Sequence, residues 1–179
     1  MRILAISGSL RATSSNTALL RAAARLAPAG MEVVLYDGLA ALPHFNPDLD
    51  TDHPPATVVA LRRAIGQCDG LLISSPEYAR GVAGAMKNAL DWLVSSVEFP
   101  EKPVALLNAS PRATHADAQL RLTLTTMSAK LVDAASITLP LLGRGLDADG
   151  IVADAELSAQ LWATLSRFAG AISETVEPD

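Results

Sequence analysis

The sequence predicts an α/β domain of the doubly wound type, a parallel sheet held between two layers of helices. Three observations carry this expectation. Short apolar runs recur along the chain, each followed by a segment of helical periodicity, and such alternation builds parallel sheets through right-handed crossovers. The runs are nearly continuous rather than alternating, as strands covered on both faces require. Half of the 179 residues are hydrophobic but only 4% are aromatic, so the core is aliphatic, made of Ala, Leu, Val and Ile.

The first strand is read at Arg2–Ser7, the second at Met31–Asp37 (MEVVLYD), and the third at Asp69–Ser75 (DGLLISS). The fourth is Lys102–Ser110 (KPVALLNAS), and Ala135–Leu139 (ASITL) is a weaker fifth. Alanine-rich helices are expected at Thr17–Ala27, ending near Pro28, and at Thr57–Gly66. A third helical stripe is Val82, Met86, Leu90, Leu93 and Val97, and a fourth is Leu120, Leu124, Met127 and Leu131. The last runs through Leu157, Leu161, Leu165, Phe168, Ile172 and Val176. Spacings of three and four lay one face of each helix on a core. The stretch from Gly38 to Pro55 carries Pro43, Pro47, Pro54 and Pro55, and an irregular segment of that length is either functional or a structured excursion. No repeat or interdomain linker interrupts the pattern, so residues 1–179 are expected to form one domain.

Composition excludes several classes. A net charge of −5 without a basic tract argues against nucleic acid or an anionic membrane as partner. No apolar run has the length of a signal peptide or a membrane span, and the protein is expected in the cytoplasm. Cys68 is the one cysteine, which fits a reducing compartment and rules out an internal disulfide. It precedes a strand and reads as a buried structural thiol. His44 and His53 lie near Asp48, Asp50 and Asp52, but in a proline-rich stretch these read as solvated side chains, and no metal site is assigned.

Ligands of open parallel sheets bind outside the carboxyl ends of the strands, which singles out three loops. The first, Ser7-Gly8-Ser9-Leu10-Arg11-Ala12-Thr13-Ser14-Ser15-Asn16-Thr17, is dense in hydroxyls and leads directly into a helix. Unpaired N–H groups and the positive helix end make such a turn an anion site, although Ser, Thr and Asn also serve as plain helix caps. It contains neither G-x-x-x-x-G-K nor G-x-G-x-x-G, so the nucleoside-triphosphatase and dinucleotide loops are excluded. The second loop, from Ser75 to Trp92, offers Tyr78, Gly81 and Gly84 but no nucleophile–base pair. The third is Ser110-Pro111-Arg112-Ala113-Thr114-His115-Ala116. Trp92 reads as a core or interface residue. The helix after Gly84 carries Met86, Leu90, Leu93 and Val97 with Trp92, more apolar surface than one face needs, and a second copy of the chain is expected to cover it.

These loops carry a resemblance. GSLRATSSN resembles the G-S-L-R-x-x-S-x-N phosphate loop of the NAD(P)H-dependent FMN reductase family. LPHFNPDL with CDGLLISSPEYARGVAGAMKNALDWL is similar to that family's second signature, P-E-Y-N-x-S-x-P-G-x-L-K-N-A-x-D-W. A weaker likeness extends through KPVALLNAS and Ala116-x-x-Gln119. The resemblance implies a flavodoxin-like three-layer sandwich with a five-stranded parallel sheet in the order 2-1-3-4-5. It implies bound FMN, NADPH or NADH as electron donor, and a quinone, free flavin, azo compound or chromate-like anion as acceptor. The surplus apolar face of the helix after Gly84 sets the separate expectation of a homodimer or, as a dimer of dimers, a homotetramer. By the same resemblance Ser9, Arg11, Ser14 and Asn16 hold the FMN phosphate, and Ser15 and Thr17 add donors. Pro76, Glu77 and Tyr78 line the flavin, the backbone of Ala79, Arg80 and Gly81 faces its ring edge, and Ser110 belongs to the third loop. Tyr78 also packs on a neighbouring subunit.

The chain departs from the pattern at Ala79, Gly81 and Ala83, where the family has Asn, Ser and Pro. Its third loop lacks the family's glycines, and Arg112 and His115 stand there as replacement donors or as recognition groups for an anionic substrate. No catalytic side chain is expected, because in flavin chemistry the cofactor does the difficult step. The other readings are a flavodoxin-type electron carrier and a flavin-less binding member of the same family. Nothing in the sequence reads the adenosine ribose, so NADH and NADPH are not distinguished.

Overall fold

The computed structural model describes the backbone of residues 1–176 and the side chains through Glu174. The side chain of Val176, the last member of the C-terminal stripe, lies outside the described residues. In chain order the elements are β1 (Arg2–Ser7), α1 (Ser15–Arg25), β2 (Glu32–Tyr36), α2 (Ala56–Gly66), β3 (Gly70–Ser74), β4 (Glu77–Tyr78) and β5 (Gly81–Val82). There follow α3 (Gly84–Asp91), β6 (Pro103–Asn108), α4 (Thr114–Thr126), β7 (Lys130–Leu131), β8 (Ile137–Thr138), α5 (Ala148–Ala153) and α6 (Ala155–Val176).

The main sheet runs β2-β1-β3-β6-β7, every pair parallel, with β8 also parallel to β6. β7 lies beside Pro103 and Val104, while β8 lies beside Leu107 and Asn108. The two therefore share one edge position, a single fifth strand broken by a 3-10 turn at Asp133–Ala135. Counted by position the order is 2-1-3-4-5, the flavodoxin-like arrangement.

Alternate residues of each strand serve opposite layers, because side chains along a strand point to alternate faces. Ile3, Ala5, Leu72, Ala105 and Leu107 pack with Leu19, Leu161, Leu165 and Phe168 of α1 and α6. Leu4, Ile6, Leu71, Ile73, Val104 and Leu106 pack with Leu61, Ile65, Met86, Leu90, Leu120 and Leu124 of α2, α3 and α4.

The structure corrects the periodicity reading in several places. Val82 belongs to β5, and α3 ends at Asp91, so Leu93 and Val97 lie in the turns after it. Leu131 is a strand residue: α4 stops at Thr126, and Ser128 at φ 63 turns the chain back toward the sheet edge. Helix α1 begins at Ser15 rather than Thr17, because the Ser14 side chain caps it. Helix α5 had no strong periodic signal, being only six residues long.

The proline-rich stretch is a structured excursion with 3-10 turns at Gly38–Ala41 and Pro47–Leu49. It covers α3. Phe45 meets Trp92 edge to face at 5.0 Å, and the Trp92 indole donates to the Pro43 carbonyl at 2.8 Å. The Asn88 amide clasps the same segment, donating to the Pro43 carbonyl at 2.9 Å and accepting from Phe45 N–H at 2.7 Å. Trp92, Met86, Leu90 and Leu93 are thus buried by their own chain. This corrects the premise that α3 carries a surplus apolar face: of those residues only Val97 is exposed. Cys68 is buried and its thiol donates to the Ile65 carbonyl at 3.2 Å, with burial pushing its pKa up. Among the described residues no helix is long and apolar enough to cross a membrane.

Candidate functional site

The three loops meet at the carboxyl end of the sheet, and the first is shaped by its own hydroxyls. Gly8 N–H donates to the Ser74 carbonyl at 2.8 Å, which draws the loop against the end of β3. A Cβ at Gly8 would lie 2.5 Å from Ser75 Oγ and 2.9 Å from Ser75 Cβ, so only glycine allows this approach. Ser7 Oγ then accepts from Ser9 N–H at 3.3 Å, and Ser9 Oγ accepts from Arg11 N–H at 3.4 Å. Ser14 Oγ caps α1 by accepting from Thr17 N–H at 3.3 Å. Asn16 is buried, its Oδ1 accepting from Ser74 Oγ at 2.9 Å, which leaves the amide nitrogen as its remaining hydrogen-bonding group.

The second loop is an antiparallel hairpin of β4 and β5 whose tip is Ala79-Arg80, both at positive φ (49° and 59°). Two-residue hairpins of the I′ type need such angles and favour Asn-Gly, so this tip is strained. Helix α4 holds it. Glu77 Oε2 accepts from Ala116 N–H at 2.9 Å, satisfying one open donor at the start of α4. The Gln119 amide donates to the Arg80 carbonyl and accepts from Val82 N–H, both at 3.3 Å. In the third loop, Ser110 N–H donates to Asn108 Oδ1 at 3.0 Å and Arg112 N–H to Ser110 Oγ at 3.2 Å.

Between these loops lies a cleft of about 360 Å³. Ser9, Arg11, Ser14, Ser15 and Asn16 line it from the first loop, Pro76, Glu77 and Tyr78 from the second, and Ser110 from the third. Four expected residues do not line it. Thr17 turns its hydroxyl to Ser7 Oγ at 2.8 Å, and Ala79, Arg80 and Gly81 form the hairpin tip beyond the rim. Ser75, Asn108, Ala109, Ala113 and Leu142 line it without having been singled out. The carboxyl-end rule applied to the last residues of β6 would have found Asn108 and Ala109; Leu142, far along the chain, carries no sequence signal.

The electrostatics favour an anion at one end. Arg11 and Arg112 reach the cleft from opposite loops, the start of α1 faces it, and the first turn of α1 has no acidic residue. Among the described residues no histidine, cysteine or lysine lines the cleft. Its charged and aromatic lining side chains are Arg11, Arg112, Glu77 and Tyr78.

The chain is similar to known proteins in sequence and in fold. An NAD(P)H-dependent FMN reductase of Pseudomonas aeruginosa is 35% identical over 159 residues, covering 86% of this chain and 85% of that protein. A quinone reductase of Escherichia coli is 39% identical over 106 residues, 59% of this chain and 55% of its own. In three dimensions the chain is similar to FerB, a flavoenzyme NAD(P)H:(acceptor) oxidoreductase from Paracoccus denitrificans, with a TM-score of 0.85 and 29% identity over 97% of each chain. Residues 1–141, which span β1 through the third loop and on past β8, match the family described as NADPH-dependent FMN reductase. The match takes in every loop of the cleft except its rim at Leu142, and with it this chain belongs to the NADPH-dependent FMN reductase family.

Proposed function

We propose that this protein is an FMN-dependent NAD(P)H oxidoreductase acting on a small-molecule acceptor of the quinone, free flavin, azo or chromate-like class. One observation carries the reading: a hydroxyl-rich loop at a helix N-terminus faces a hairpin and a third loop across a single cleft. The residues present suit FMN. Ser9, Ser14, Ser15, Asn16 and Arg11 would hold its phosphate, since helix N–H groups, hydroxyls and a guanidinium all favour a dianion. Pro76, Glu77, Tyr78 and Ser110 would flank the ring system, with the tip at Ala79, Arg80 and Gly81 bounding its edge. When bound, FMN supplies the two-electron chemistry that links a nicotinamide donor to the acceptor. The chain's own part is to bind, to orient, and to leave one face of the cleft open. Tyr78 is the aromatic residue lining that cleft and is itself half exposed, which supports an open face over the closed aromatic stack of an electron carrier.

The same reading takes residues 1–179 as one FMN-binding domain working in the cytoplasm as a homodimer or homotetramer. Val94 and Val97, exposed in the turns after α3, are apolar side chains that a second copy could cover. The deciding experiment adds NADPH or NADH, then an acceptor, to FMN-loaded protein under anaerobic conditions. The visible flavin absorbance is expected to bleach and to return with the acceptor. Protein that retains no FMN, or flavin that bleaches with neither nicotinamide, would sink the reading.

A further inference from the structure

A second concavity, about 710 Å³, lies on the other flank of the first loop, between α1 and residues 142–149. That volume falls within the ~300–1,000 Å³ usual for small-molecule sites. The two concavities adjoin, sharing Arg11, Ser14, Ser15 and Leu142 as their common wall. The second is basic in a chain of net charge −5. Arg21 and Arg25, one turn apart on α1, line it together with Arg11. Its two carboxylates are already engaged: Asp149 pairs with Arg25, and Asp147 caps α5 by accepting from Gly150 N–H at 2.9 Å. Among the described residues the Arg21 guanidinium has no hydrogen-bond or ion-pair partner, and neither does that of Arg11. With Arg11 given to the FMN phosphate, the Arg21 guanidinium is the unpaired cation of a groove that adjoins the cofactor cleft, and a guanidinium binds a phosphate through paired N–H donors.

The two nicotinamide donors differ by one phosphate, on the adenosine 2′ oxygen. We propose that this groove receives the adenosine end of the donor and that Arg21 recognises the 2′-phosphate, so that NADPH is preferred to NADH. The proposal rests on the oxidoreductase reading for its ligand but is tested by binding alone.

Adenosine 2′,5′-bisphosphate and adenosine 5′-monophosphate, titrated into FMN-loaded protein by calorimetry, carry and lack the deciding phosphate. The bisphosphate is expected to bind roughly tenfold to a hundredfold tighter, the range of one charge-assisted contact. Its advantage should shrink as salt is raised. Arg21→Ala should abolish the difference and Arg21→Lys restore part of it, with FMN affinity unchanged in both. Because Arg21 is exposed, neither variant has packing to lose. Equal affinity for the two nucleotides in the wild type, or a preference that survives Arg21→Ala, would overturn the proposal. A flavin that no nicotinamide reduces would instead defeat the oxidoreductase reading, and the nucleotide titration would still report on the groove.

Discussion

Arg11 sits where two binding surfaces meet, and its surroundings decide what removing it does. Its backbone N–H is fixed by Ser9 Oγ, while its side chain is exposed and borders the cleft beside the start of α1. A guanidinium so placed gains from a phosphate through charge-assisted hydrogen bonds and costs the apo fold little when removed. Arg11→Ala is therefore expected to weaken FMN binding by roughly tenfold to a hundredfold. Riboflavin, which lacks the phosphate, should bind both proteins weakly and equally. Parallel titrations of the two flavins into apo protein check this, and an unchanged FMN affinity would take Arg11 out of the site. The neighbouring Gly8 shows the opposite kind of constraint, a position set by contact with Ser75 and not by a ligand.

At the scale of elements, the hairpin is a strained piece held by another element. Left-handed backbone costs a non-glycine residue about 1–2 kcal/mol, and both tip residues, Ala79 and Arg80, adopt it. Two contacts from α4 oppose that cost, the open donor at Ala116 that Glu77 satisfies and the double hydrogen bond from Gln119. Gln119→Ala is expected to free the tip while lowering global stability by only about 1–2 kcal/mol, the worth of two neutral hydrogen bonds. Arg80 is exposed, so limited trypsin digestion should cut after it several-fold faster in the variant. Equal cutting rates would mean that the hairpin keeps its shape without α4.

For the whole molecule, the excursion between β2 and α2 joins one side of the sandwich into a unit, and its anchor is ionic. Asp50 accepts from Ser95 Oγ at 2.6 Å and from Arg62 Nη2 at 2.8 Å, and Arg62 also donates to the Trp92 carbonyl at 2.7 Å. The Ser95 hydrogen bond first, and the Arg62 hydrogen bond and charge after it, hold the Asp50 carboxyl below the ordinary aspartate range, against the opposing effect of burial. A folded-state pKa below the unfolded value stabilises the protein above the unfolded pKa, and that contribution is lost as pH falls through the folded one. Thermal melts should accordingly hold steady from neutral pH down to the ordinary aspartate range and fall below it. Asp50→Asn should melt lower at neutral pH and lose less on acidification. A variant with the wild-type acid response would show that the anchor is not what acid breaks.

What the sequence determined by itself was the alternation of apolar runs and helical stripes, and with it the parallel sheet and the end at which ligands bind. It also carried the two loop motifs, because a phosphate turn and the hairpin after β3 are local in the chain. The inner strands were legible because each is covered on both faces and must be apolar throughout. The edge strand was legible only in its second half: Ala135–Leu139 marked β8, whereas β7, two residues long and paired only to β6, was absorbed into the helical stripe ending at Leu131. Nor did the stripe after Gly84 reveal what covers it. An apolar side chain states that it must be buried, but not by which partner, and only the tertiary structure assigned Trp92 to Pro43 and Phe45 rather than to a second chain. The site divides the same way. Hydroxyls of one loop were read from adjacency, whereas Leu142 in the wall of the cleft, and Arg21 in the groove behind it, acquired neighbours only when distant segments folded together.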